Sequence, residues 1–158
     1  MSVTTGADDT HAYIAITRLQ GAYGDISVRR AWAEELAPLC ARQATFTYDF
    51  GAAGTVELRG ADQLGAFGAK ALERFSFYQY IPVNTAVVVD DERTAHGRFY
   101  VLEAGQDRAT GEWTEFHGVY HDDYVVEDGA WRFAGRQYRT LARRVGAHTV
   151  EVFSGAVA

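Results

Sequence analysis

The chain has 158 residues, 47% hydrophobic and 13% aromatic, which is enough to bury one core and too apolar for a disordered chain. Its net charge of −6 argues against a nucleic-acid partner, since phosphate binding needs a basic face. The single cysteine, Cys40, excludes an intramolecular disulfide and a cysteine-based zinc site, and no apolar run is long enough to cross a bilayer.

Residues 1–9 are small and polar, without the basic start or apolar segment of a signal peptide. A disordered N-terminus and a cytoplasmic protein are the expectation. Asp9 and Thr10 then offer N-caps, and Ile16, Leu19, Tyr23 and Ile26 recur at helical spacing to about Ser27. A second helix is expected from near Arg29, with Trp32, Leu36, Leu39 and Cys40 inward; Cys40 reads as a small buried hydrophobe. Ala44 to Asp49 alternates with β-branched and aromatic residues and reads as a strand. Gly51 and Gly54 make a turn, Thr55–Leu58 pairs back, and Gly60 to Phe75 returns to helical spacing through Leu64, Phe67 and Ala71.

Beyond this the pattern is β. Phe77–Val89 reads as a strand interrupted at Pro82, followed by Thr94–Glu103, a polar loop over 104–111, and Trp113–Val126. Glu127-Asp128-Gly129 signals a hairpin into Trp131–Leu141, and Thr149–Phe153 suits a short strand in the tail from residue 146. Three helices in the N-terminal half followed by a meander predict an α+β domain over residues 10–145. In it, helices cap a cone-shaped, curved antiparallel or mixed sheet around an apolar pocket. Small organic molecules bind in such concavities. Tyr23, Tyr48, Tyr80, Tyr120 and Tyr138 are candidate linings, since a tyrosine combines apolar area with one polar tip.

Several local patterns then form an ordered set. Tyr23-Gly24-Asp25 followed by Trp32, Ala44-Thr45-Phe46, Gln79-Tyr80 before Asn84, and Gly118-Val119-Tyr120 with Asp123 come first. Asp128-Gly129-Ala130-Trp131-Arg132-Phe133-Ala134-Gly135-Arg136 closes it. Over residues 11–144 this order resembles the SnoaL-like polyketide cyclases and scytalone dehydratases, of the nuclear transport factor two-like superfamily. The resemblance implies a cone fold and a cofactor-free lyase or isomerase acting on a small hydrophobic intermediate, of polyketide, terpenoid or steroid-like type. Dehydration, cyclisation and isomerisation are its reactions, and dimerisation through the outer sheet face is common in it.

The family's dehydratases resemble one another in an Asp–His pair, in which the carboxylate orients the imidazole and raises its basicity. Carried over by position, that aspartate falls on Val28 and its neighbouring tyrosine on Ser27. The first histidine falls on Tyr80, the second on Glu103, and the third-strand serine and asparagine on Gly118 and Tyr120. With the register that the resemblance implies, strand alternation turns Phe99, Val101 and Glu103, then Phe116, Gly118 and Tyr120, then Ala134, Arg136 and Tyr138 toward the pocket. Asn84 joins the substrate-binding set. Glu103 is the candidate proton carrier, against the alternative of a solvated strand end, and Tyr80 a neutral donor to a carbonyl. Arg136 is a candidate oxyanion partner or a structural ion pair with Glu103 or Asp122. Asp25 is a second candidate base if the first helix ends early, and otherwise a solvated residue. His117 and His121 alternate to the outer face, with His96 read likewise, so no metal site and no cofactor are expected. Two other readings stay open: a non-catalytic binder that has lost the Asp–His pair, and an enzyme that works chiefly by folding its substrate.

Overall fold

A computed structural model describes residues 7–153. The expected disorder of residues 1–9 falls partly outside them, as does the tail beyond 153; residues 7–9 are already helical. Helix α1 (Ala7–Arg29) buries Ala12, Ile16, Leu19, Tyr23 and Ile26 along one stripe. Gly24 lies on that stripe because a Cβ there would come within 2.9 Å of the Tyr80 ring. Arg30 ends the helix in the left-handed region (φ 63°), and the Ala31 N–H returns to the Ile26 carbonyl.

The second helix is much shorter than its apolar spacing suggests. One turn, α2 (Trp32–Glu35), gives way to a 3-10 turn over Ala37–Leu39, and Cys40 already belongs to β1 (Cys40–Asp49). Pro38 supplies the reason: it has no N–H to continue an α-helical ladder. Cys40 is nonetheless buried as expected, and burial pushes its thiol up to about 11. Strand β2 (Thr55–Arg59) and helix α3 (Gly60–Leu72) complete the first half.

Strands β3 (Phe75–Val89), β4 (Thr94–Asp107), β5 (Trp113–Glu127) and β6 (Ala130–Val145) form a long meander, and β7 (Glu151–Val152) pairs with β6. The expected loop over 104–111 shrinks because β4 runs to Asp107, whose carboxylate accepts the Ala109 and Thr110 N–H groups and tightens the turn. Asp128 and Gly129 both have positive φ, as a two-residue hairpin turn demands.

The sheet order is β2-β1-β6-β5-β4-β3, with β1 parallel to β6 and every other neighbour antiparallel. Register slips at Phe75/Phe77, Pro82/Asn84, His117/Gly118 and Asp123/Tyr124 bend it into a cone. Pro82 therefore sits beside a bulge in a continuous strand. The slip at Asp123/Tyr124 also corrects the expected face of β6: Phe133 and Arg136 are both fully buried, while Ala134, the extra residue, is only half-buried. Helix α1 packs on β3 and β6 and α3 on β1, closing the concave face. Among the described residues no helix is long and apolar enough to cross a membrane.

Candidate active site

The concave face holds a cavity of about 450 Å³, within the range of sites for small organic ligands. Pairing across β3 to β6 arranges its wall in rows. Nearest the mouth are Tyr78, Gly105, Thr114 and Val145; next come Tyr80, Glu103, Phe116 and Arg143. Deeper lies a row of Tyr120, Tyr138 and, from β1, Tyr48. Helices supply the opposite wall through Tyr23, Ser27, Trp32, Leu64, Phe67 and Leu72, and Phe153, just after β7, also lines the cavity.

The candidate lining tyrosines Tyr23, Tyr48, Tyr80, Tyr120 and Tyr138 meet in this cavity with Glu103 and Phe116, which strand alternation turns inward. Glu103 is half-buried, not a solvated strand end, and its accessible part faces the cavity. Its Oε2 accepts a 2.6 Å hydrogen bond from the Tyr78 hydroxyl. Burial raises the carboxyl above the ordinary glutamate range; the Tyr78 bond and the Arg136 charge oppose this without cancelling it. Burial likewise pushes the hydroxyls of Tyr78, Tyr80, Tyr48 and Tyr120 well above 10, so they are donors and not bases. The hydroxyls of Tyr23 and Tyr48 bond each other at 3.0 Å. Three polar atoms of the lining, Tyr80 Oη, Trp32 Nε1 and Thr114 Oγ1, are buried with no protein partner.

Other expected residues lie elsewhere. Phe99 and Val101 are core residues behind the wall. Asn84 is exposed, displaced by the bulge beside Pro82. Asp25 does not turn into the cavity, because α1 runs on to Arg29; its carboxylate is exposed and bonded to Arg29 at 2.6 Å. Val28 is 41% exposed, whereas Ser27 lines the cavity and donates its hydroxyl to the Tyr23 carbonyl. His96, His117 and His121 are exposed, and among the described residues no cluster of three metal-ligating side chains forms.

Arg136 pairs with Asp122 and not with Glu103. Its Nε and Nη2 each lie 2.8 Å from an Asp122 oxygen, and Gln20 and Tyr124 complete a wholly buried network. The guanidinium sits 4.3 Å from the Tyr23 ring centroid and 4.1 Å from that of Tyr120, beneath the cavity floor. Tyr78, Gln20 and the α3 lining were not singled out by sequence. Tyr78 was within reach, since it lies two residues from Tyr80 on one strand face.

Residues 8–137 match the family model of the SnoaL-like domain. The chain belongs to the SnoaL-like family. No curated protein sequence matches it. Among solved structures, this SnoaL-like chain is similar to a protein from Novosphingobium aromaticivorans provisionally named a scytalone dehydratase. The identity is 20% and the TM-score 0.79, covering 96% of this chain and 98% of that one. It is also similar to LinA-type3, a hexachlorocyclohexane dehydrochlorinase from Novosphingobium barchaimii, at 18% identity and TM-score 0.72, covering 94% of each chain. At such identities the likeness is one of fold, the cone of the nuclear transport factor two-like superfamily.

Proposed function

We propose that this SnoaL-like protein is a cofactor-free lyase or isomerase that moves a proton on a carbonyl-activated hydrophobic substrate, with Glu103 as the proton carrier. The observation behind this reading is a carboxyl of raised pKa on the wall of an aromatic cavity, held by one hydroxyl donor. Family membership and the names of the similar structures, a dehydratase and a dehydrochlorinase, support it as analogy.

In this mechanism the ionised Glu103 takes a proton from the carbon next to the substrate carbonyl. The electron pair moves into an enolate, whose oxygen receives a hydrogen bond from the unpartnered Tyr80 hydroxyl. Glu103 then returns its proton to the γ-carbon of a β,γ-unsaturated substrate, giving isomerisation, or to a departing hydroxyl, giving dehydration; in cyclisation the enolate attacks a second carbonyl and Glu103 protonates the resulting alkoxide. Tyr78 holds the carboxylate in place. Arg136 acts through the Tyr23 and Tyr120 rings as a fixed positive charge below the floor and is a positioning residue. Asp25 has no part.

Hydrogen–deuterium exchange tests this reading. Neutral bicyclic ketones such as 2-tetralone, followed by proton NMR in deuterium oxide, should exchange faster with the protein, and Glu103→Gln should lose roughly a hundredfold or more of that acceleration. Full exchange in Glu103→Gln would overturn the assignment. The second reading, a binder without catalysis, draws on the absence of a carboxylate at Ser27 and Val28; it predicts saturable ketone binding with no exchange in the wild type.

A further inference from the structure

The mouth of the cavity carries positive charge that the proton-transfer reading does not use. Arg74 and Phe75 line it, and two further guanidiniums converge on the Phe75 carbonyl. Arg30 Nη2 donates to that oxygen at 2.6 Å and Arg108 Nη2 at 3.1 Å. Arg74 lies over the Phe75 ring, 5.1 Å from its centroid. The three arginines come from three separate places: the end of α1, the turn before β3, and the turn between β4 and β5.

Their charge is poorly balanced. Asp107 pairs with Arg74 at 2.8 Å, and its other oxygen is occupied by the Ala109 and Thr110 N–H groups. Glu73 is tied to Lys70. Among the described residues neither Arg30 nor Arg108 has a carboxylate within 4.0 Å. Three guanidiniums thus share one carboxylate, in a chain whose overall charge is −6. Each has five N–H donors and uses only one or two of them. Arg30 is moreover held at φ 63°, a conformation uncommon for a residue with a side chain.

We infer that the substrate is an amphipathic anion, whose ring system fills the cavity while a carboxylate or phosphate rests against Arg30, Arg74 and Arg108. This rests on the cavity being the substrate site. Planar guanidiniums suit such groups because they can offer paired donors to two oxygens. The spacing also sets a length. Because of the bulge after Phe75, Phe75 and Tyr78 face Asp107 and Gly105, only two residues apart on β4, roughly 7 Å, so about that distance separates the anion from the carbon that Glu103 addresses. A body of two fused rings spans it.

Two fluorescent probes that share one aromatic body test the inference. One is 8-anilinonaphthalene-1-sulfonate, which is anionic, and the other N-phenyl-1-naphthylamine, which is neutral. The wild type should bind the sulfonate more tightly, and raising salt from 50 to 500 mM should weaken the sulfonate alone. Arg30→Gln and Arg108→Gln, made separately and together, should reduce sulfonate affinity by about tenfold in the double variant and leave the neutral probe unchanged. Retained binding of the neutral probe reports that each variant is folded. Equal affinity and equal salt response of the two probes, or an anion preference that survives both substitutions, would overturn the inference. The exchange assay uses neutral ketones and the variant Glu103→Gln, so an unselective cavity that still exchanges protons is told apart from a selective one that does not.

Discussion

Arg136 and Asp122 form a bidentate pair, both side chains wholly inaccessible to solvent, at the closed end of the cone. Neighbouring strands bring them together: Asp122 on β5 stands directly opposite Arg136 on β6. Gln20 reaches the pair from α1, so the network ties helix to sheet where the aromatic floor begins.

Cutting that pair should be costly. Asp122→Ala leaves a buried guanidinium without its counter-charge, and a loss of about 3–5 kcal/mol in chemical denaturation is expected. The double variant Asp122→Leu with Arg136→Met should be more stable than the sum of the two single losses, since no unpaired charge remains.

Glu103 carries a stability signature with a definite sign. Its pKa is raised in the folded state, so the native protein holds its proton more tightly than the unfolded chain does. Stability therefore falls as pH climbs from the ordinary glutamate range through the raised folded value. Glu103→Gln should therefore melt above the wild type at pH 8. The gap should close toward pH 4, where Glu103 is protonated; thermal unfolding across pH checks this.

Tyr78→Phe tests how the carboxyl is tuned. The Tyr78 hydrogen bond lowers the Glu103 pKa, so its loss should move the acid limb of the exchange profile to higher pH. Rates on that limb should drop, while rates above the new midpoint recover. A Tyr78 of purely structural importance would lower the rate at every pH and leave the midpoint in place.

Gly118→Ala should disturb the cavity wall from the sheet side. A Cβ there would lie within 2.7 Å of Tyr138 Cζ and Oη, so the ring must move. About 1–3 kcal/mol of destabilisation is expected, with a change in the near-ultraviolet circular dichroism of the tyrosine cluster.

Much of the fold is legible along the chain because it follows from local rules. Tyr48, Tyr80, Glu103, Phe116, Tyr120 and Tyr138 share one face by simple strand alternation, and all reach the cavity. Local rules break where the backbone changes phase. The bulge at Ala134 turned Phe133 inward, the one beside Pro82 sent Asn84 outward, and Pro38 stopped a helix that its apolar spacing favoured.

The pocket in an α+β cone was thus determined by sequence alone, since periodicity decides which side chains are buried. Where Glu103, Arg136 and Asp25 lie and what each pairs with was decided only by tertiary structure. Glu103 met Tyr78 across paired strands, Arg136 took Asp122 in place of Glu103, and Asp25 stayed in solvent beside Arg29 because α1 did not end early. Charge partners depend on which strands lie side by side and on how deep each group sits, and neither is a property of neighbouring residues in a chain.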